Sequence, residues 1–297
     1  MLVRKTMTTT KTITHSNSSQ IGINLSDPIF RGIYHDKQAH EDDMTHIIER
    51  AIAAGCRKLM VTGSDLTESE KAVQLAKDYR MSFHDSALAK VHEDVFFWFW
   101  LTSRRTAGLC YATVGVHPCS AHTFSSHPNG ASALLSSLRT LAHDAKSAGH
   151  AIAFGEIGLD YDRLHLCPKD VQLKYFSAQL DLAVELQLPL FLHSRAAAED
   201  FERILKERLD QLPKRGCVHS FTGSMEEMRR IVDMGFDVGI NGCSLKTEEN
   251  LEVVKQVPLE RMQIETDGPW VCFDLFLLLL LHTRRSRSCH VIPQSVS

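Results

Sequence analysis

Residues 154–160 read FGEIGLD. The apolar run AIAF (151–154) leads straight into a glycine, a glutamate, a second glycine and an aspartate. A plain account is available, because strands must end and turns favour Gly and Asp. A second account makes Glu156 a ligand at the end of a buried strand, with Gly155 and Gly158 letting substrate or metal come close to the backbone. The segments on either side decide between the two.

Upstream and downstream, short apolar runs alternate with helical patterns. The runs are IGINL (21–25), KLMVTG (58–63), CYATVGVHP (110–118), AIAFGE (151–156), LPLFLHSR (188–195), GCVHSF (216–221), FDVGING (236–242) and RMQIETDGP (261–269). Between them, residues 41–54 place Met44, Ile47, Ile48, Ala51 and Ile52 on one helical face, and Gly55 stops the helix. Ser64 or Asp65 can cap the next helix. Further helices are expected over 169–187, 197–209, 225–234 and 248–256. Eight strands with seven helical segments indicate parallel βαβ units, and eight units in about 250 residues is the size of a β/α barrel. An open doubly wound sheet is the runner-up. It would want fewer strands and a glycine-rich phosphate loop, and neither GxGxxG nor GxxxxGK[ST] occurs.

The last residues of these strands are chemically alike. His117 closes the third, Glu156 the fourth with Asp160 just beyond, His193 the fifth, His219 the sixth and Asp267 the eighth. A lone histidine after an apolar run is more often a core or loop residue, and Asp267 before Gly-Pro is a good turn residue. The joint pattern outweighs these readings, because a barrel gathers the carboxyl ends of all its strands at one mouth. Neutral imidazoles and carboxylates at an open site suit a divalent metal, which can activate water for hydrolysis. Asp267 is the candidate to take the proton from that water.

With 297 residues, 43% of them hydrophobic, the chain can build one large core or two modest ones. A net charge of −3 gives no global attraction to nucleic acid or anionic membrane, so any phosphate contact must be local. The eight cysteines include no CxxC pair and read as free thiols of an intracellular protein, cytoplasmic or nuclear. Residues 1–20 are rich in Ser and Thr and read as a disordered tail. A mitochondrial presequence is the alternative, although Arg and amphipathic periodicity are scarce. The run FDLFLLLLL near the C-terminus is too short to cross a bilayer, which needs about 20 residues. No membrane and no obligate protein partner are expected.

The strings TVGVHP, GEIGLDYDR, LPLFLHSR, VHSFTGS, GFDVGINGCSLKT and IETDGPW resemble the TatD-type deoxyribonuclease family, and INLSDPIFRGIY and CPKDVQLKYFSAQLDLA resemble its eukaryotic branch. The similarity spans roughly residues 21–83 and 110–270. It implies a TIM (β/α)8 barrel of the metal-dependent hydrolase superfamily. It also implies DNA as substrate, cleaved at phosphodiester bonds, often as a 3′ exonuclease, with one or two Mg²⁺ or Mn²⁺ ions. By motif, Glu156, His193, His219 and Asp267 carry the metal-binding roles, with Glu156 and Asp267 catalytic. His117 matches a histidine near the substrate phosphate. Asn24, Asp160, Arg195 and Lys246 are further substrate-binding candidates, with Arg31 another phosphate contact.

Three departures stand out. Gly22 and Asn24 occupy the places of a His-x-His metal pair found in many bacterial members, as is typical of the eukaryotic branch. Residues 84–109, which contain FFWFW, are an insertion. They read either as a lid or membrane-touching loop or as a retained non-coding stretch, and we favour the second. Residues 271–297 match nothing in the family, so the last helical region is expected to be missing. A read-through truncation is preferred there over a genuine alternative C-terminus. The rival functions are another hydrolase of the superfamily and an inactive truncated product. The first would want a bridging lysine after the fourth strand, where GEIGLD stands instead.

Overall fold

The computed structural model describes residues 18–79, 108–212 and 214–271. Eight strands run in chain order: β1 (Ser18–Ile23), β2 (Cys56–Val61), β3 (Cys110–Val114), β4 (Ala151–Asp160), β5 (Leu190–Arg195), β6 (Gly216–Val218), β7 (Asp237–Ile240) and β8 (Met262–Ile264). Each pairs in parallel with the next. A parallel bridge between Ile21 and Glu265 joins β1 to the chain leaving β8 and brings the sheet round on itself. That is the TIM barrel, and the open doubly wound sheet is ruled out by the sequential strand order.

Seven helices of nine residues or more lie outside the ring among the described residues: α1 (Met44–Ala53), α2 (Leu66–Asp78), α3 (Ala131–Ser147), α4 (Lys169–Leu186), α5 (Ala198–Lys206), α6 (Met225–Asp233) and α7 (Glu248–Gln256). Their starts follow from local chemistry. The Asp65 carboxylate accepts from the Glu68 amide, Ser224 and Glu227 form a reciprocal capping box, and Thr247 accepts from Asn250. Each satisfies amides that a helix start leaves unpaired.

Strand alternation sorts the side chains into two cores. Ile21, Met60, Tyr111, Ile152, Phe191 and Cys217, one from each of β1 to β6, fill the inside of the barrel. Their strand neighbours Leu59, Val61, Ala112, Leu190, Leu192 and Val218 face outward under the helices. The interior is therefore packed rather than a pore, and polar groups collect above it at the C-terminal mouth.

The bounds of the N-terminal tail and of the insertion differ from the sequence reading. β1 begins at Ser18, inside the stretch assigned to the N-terminal tail, because Ser18–Gln20 pair with β2. Leu109, assigned to the insertion, is buried and its carbonyl accepts from the Leu59 amide, so it belongs to the barrel. The rest of that insertion up to residue 107, and the tail from residue 272, lie outside the described residues. Among the described residues no helix covers β8, where Ile264 is 49% exposed, and no helix is long and apolar enough to cross a membrane.

Candidate active site

Alternation places two of the histidines. His193 follows Phe191 by two residues on β5, and His219 follows Cys217 by two at the end of β6, so both share the inward face with a core residue. Glu156 is placed differently. The sequence reading ends the fourth strand at Glu156, but β4 runs on to Asp160. Opposite β5, Gly155 pairs with Phe191 and Ile157 with Leu192, which leaves Glu156 as an extra residue. This bulge resets the alternation. Ile157 and Leu159 then face outward into the helix-covered core, and Asp160 stays on the site side.

The two glycines also serve a different purpose from the one expected. A Cβ on Gly155 would lie 2.1 Å from the Phe191 carbonyl oxygen, and one on Gly158 would lie 1.8 Å from that of His193. The missing side chains make room for the β5 backbone, not for substrate or metal.

The side chains meet at one carboxylate oxygen. Glu156 Oε1 lies 2.7 Å from His219 Nε2, 2.9 Å from His193 Nδ1 and 3.4 Å from His117 Nε2. Two further carboxylates back the ring. Asp160 Oδ2 is 3.2 Å from His193 Nε2, and Glu265 Oε2 is 3.4 Å from His219 Nδ1. Asp267 stands beside them. Its Oδ1 accepts from Asn24 Nδ2 at 3.2 Å and its Oδ2 from Ser220 Oγ at 3.3 Å. Ser220 also accepts from the Asn241 amide, and its own backbone amide donates to Glu265 Oε1.

Burial opposes charge on all of these groups, and mutual pairing decides the outcome. Burial alone would raise the Glu156 carboxyl, yet His219 and His193 hold it well below the usual range. Burial would lower His219, yet Glu156 and Glu265 raise it well above an ordinary imidazole. His193 is raised despite burial, through Asp160 and Glu156. Burial wins at two positions. It pushes His117 down to about 3, and it pushes the Asp267 carboxyl up to about 6, with Glu156 and Glu265 adding to the rise.

His117 has a defined tautomer. Its Nδ1 accepts from the Cys119 amide at 3.1 Å, so the proton of the neutral ring sits on Nε2, which faces Glu156. The ring therefore presents an N–H to the mouth, which suits a contact to a phosphate oxygen and not a metal bond. The other sequence candidates are more dispersed. Asp160 is 2% exposed and faces His193 rather than solvent. Asn24 is bound through its amide nitrogen to Asp267 and the Gly268 carbonyl. Arg195 ends β5 and lines a cavity of about 320 Å³ together with Asp162, Ser194, Phe221 and Thr222. Lys246 is exposed just after the turn that follows β7. Arg31 is held by Asp42 at 2.7 Å.

Sequence reasoning missed the residues that fix the strand ends. Gln179 on α4 accepts from the Val116 amide at 2.8 Å and donates to the Val116 carbonyl at 3.0 Å, which sets the segment carrying His117. Gln172, on the same face of that helix, bonds the Asp160 amide at 2.8 Å and the Asp160 carbonyl at 2.9 Å. Their signal is a pair of glutamines seven apart on an otherwise apolar face. Glu265 was passed over because the sequence reading closed the eighth strand with Asp267, whereas β8 ends at Ile264 and Glu265 follows it directly.

The donor set fits a divalent cation. It mixes imidazole nitrogens with carboxylate oxygens, it is buried, and among the described residues no Lys or Arg pairs with Glu156, Glu265 or Asp267. Glu156 Oε1 lies 2.9 Å from His193 Nδ1 and 2.7 Å from His219 Nε2, so these ligand atoms converge on one point. Carboxylates buried this way without a strong cation are costly, which a bound metal relieves.

A closed β/α barrel with an imidazole–carboxylate centre at its C-terminal mouth defines a hydrolase of the metal-dependent hydrolase superfamily. The family model for TatD-related DNases matches residues 98–275. The chain is 51% identical to the Deoxyribonuclease Tat-D of Schizosaccharomyces pombe over 84% of its own length and 71% of the relative's. It is 34% identical to the 3′-5′ ssDNA/RNA exonuclease TatD of a Rahnella species over 85% of its own length and 78% of the relative's. The crystal structure of a TatD family hydrolase from Entamoeba histolytica superposes with a TM-score of 0.71 at 31% identity, covering 87% of this chain and 76% of that one. The chain belongs to the TatD-related DNase family.

Proposed function

We propose that the chain is a deoxyribonuclease that uses Mg²⁺ or Mn²⁺ to hydrolyse phosphodiester bonds, removing nucleotides from the 3′ end of DNA. The observation that carries this reading is Glu156 Oε1 set among three imidazole nitrogens at the barrel mouth. The names of the yeast and bacterial relatives support the substrate class and the exonuclease mode.

Glu156, His193, His219 and Asp267 would hold the ion. Bound there, it would polarise a phosphoryl oxygen and lower the pKa of water. The protein's own groups do the rest. His117 offers its Nε2–H to a phosphate oxygen and stays neutral while doing so, because burial keeps it from being protonated. Asp267, held by Asn24 and Ser220, takes up the proton released when water attacks. Asp160 and Gln172 keep the His193 ring in place, and Gln179 does the same for His117. Arg195 and Lys246 are the side chains at the mouth that can meet further phosphates of the strand.

The test is cleavage of a 5′-labelled single-stranded DNA oligomer with Mg²⁺ or Mn²⁺, against the same reaction in EDTA. A ladder of products shortened one nucleotide at a time is expected, and no products in EDTA. Full activity in EDTA would overturn the reading. Cleavage of internally positioned bonds only would overturn the exonuclease mode.

A further inference from the structure

The Glu265 carboxylate lies in a slot that two missing side chains create. Glu265 is fully buried. A Cβ on Gly239, from the neighbouring strand β7, would meet its carboxylate carbon and both oxygens at 2.9 Å. A Cβ on Gly22 of β1 would sit 3.3 Å from Oε2 and 3.7 Å from His219 Nδ1. The slot thus delivers one carboxylate oxygen to one imidazole nitrogen. Oε1 is occupied by the Ser220 amide. Oε2 and His219 Nδ1 are buried without a hydrogen-bond partner among the described residues, and they face each other at 3.4 Å as an ion-pair contact. Phe191 packs on the same ring with centroids 4.7 Å apart, so the imidazole has little freedom to turn.

We propose that Glu265 is a positioning residue that keeps the proton of His219 on Nδ1 and so leaves Nε2, the nitrogen facing Glu156, free for a divalent cation. The proposal rests on the reading of His219 as a metal-holding residue. The same arrangement occurs on the other side of Glu156, where Asp160 backs His193. A carboxylate behind a ligating histidine fixes both ring orientation and tautomer, and its loss costs about 10- to 100-fold in metal affinity.

Glu265→Gln is the informative change because it keeps shape and reverses polarity. The glutamine oxygen must still accept from the Ser220 amide, which turns its NH₂ toward His219 Nδ1. That nitrogen must then become an acceptor, and the proton moves to Nε2, where a cation needs a lone pair.

The experiment measures Mn²⁺ affinity by calorimetry for the full chain, E265Q and H219A, with circular dichroism to verify folding. The neutral-ring tautomer of His219 is read from ¹H–¹⁵N long-range imidazole spectra of the zinc-loaded or high-pH protein. E265Q should fold, bind Mn²⁺ about 10- to 100-fold more weakly and shift the His219 nitrogen signals from Nδ1–H toward Nε2–H. H219A should lose the Mn²⁺ site. If H219A binds Mn²⁺ like the unaltered chain, the metal reading of His219 is wrong. If H219A loses binding while E265Q keeps full affinity and the original tautomer, the metal reading survives and the role of Glu265 is refuted. Should E265Q not fold, Gly239→Ala displaces the carboxylate without removing it, and the same two readouts apply with the same outcomes.

Discussion

Gln179 lies on a helix outside the barrel and touches no other side chain of the site, yet its replacement should damage both stability and activity. Its amide is 1% exposed and makes two bonds, at 2.8 and 3.0 Å, to the amide and carbonyl of Val116. Leucine has nearly the same volume, so Gln179→Leu opens no cavity. It leaves one buried N–H and one buried C=O unpaired, at about 1–3 kcal/mol each, or about 2–6 kcal/mol together. That is a large part of the 5–15 kcal/mol that usually separates folded from unfolded protein. The control is Gln74→Leu on the exposed face of α2, where the amide only reaches Asp78 and the change should stay within about 0.5 kcal/mol. Urea unfolding followed by circular dichroism gives both numbers. In conditions where Gln179→Leu is still folded, DNA hydrolysis should fall about 10- to 100-fold as His117 loses its placement. Mn²⁺ affinity should be kept, because His117 is not a ligand in this scheme. A Gln179→Leu protein within about 0.5 kcal/mol of the unaltered chain would refute the reasoning. Loss of Mn²⁺ binding in a folded variant would show that His117 or its loop does ligate.

Other expected outcomes are more direct. Glu156→Gln should fold but lose at least about 10³-fold in DNA hydrolysis, since several kcal/mol of charge stabilisation would depend on the ion proposed there; a steady-state assay at saturating Mn²⁺ checks this. His117→Ala should lower kcat by about 10- to 100-fold, the loss of one aimed donor, with unchanged Mn²⁺ binding by calorimetry. Gly158→Ala should cost about 3 kcal/mol or more because its Cβ would sit 1.8 Å from the His193 oxygen, whereas Gly108→Ala, which meets nothing closer than 3.8 Å, should be near neutral in thermal melts. Asp200 is depressed by Lys169, Tyr161 and Arg203, so its contribution is present above the ordinary carboxylate pKa of about 3.9 and is lost as pH falls below it. Asp200→Asn should therefore be less stable at pH 7 by no more than about 1 kcal/mol, with the gap closing toward pH 2 in urea titrations.

The barrel was legible because its signal is global. Eight apolar runs separated by helical patterns leave few other topologies, and each strand's two-residue alternation reappears in the two cores. His193 and His219 were legible for the same reason, as each continues the inward face of its strand. Glu156 was found, but for the wrong reason. A bulge is a change of register between two strands, and one strand's sequence does not contain its partner. The glycines misled in the same way, since only the neighbouring backbone reveals what their missing side chains admit. Glu265 and the two glutamines of α4 were invisible because their roles are defined by what they touch across 12 to 63 residues of chain.

The ring closes where β1 meets the segment leaving β8. Gln20 bonds Thr266 at 2.7 Å across 246 positions, and Asn24 reaches Asp267 across 243. A ribosome making this chain therefore produces all eight strands before either Glu265 or Asp267 exists, and the bridge that closes the ring on β1 waits for Glu265. Every partly made chain lacks the last two carboxylates of the centre, however well its earlier units have formed. On the proposed reading of the site, synthesis order acts as a safety catch: nuclease competence arrives only with the residues that follow the final strand, and a product cut short before Glu265 lacks the means to cut DNA there.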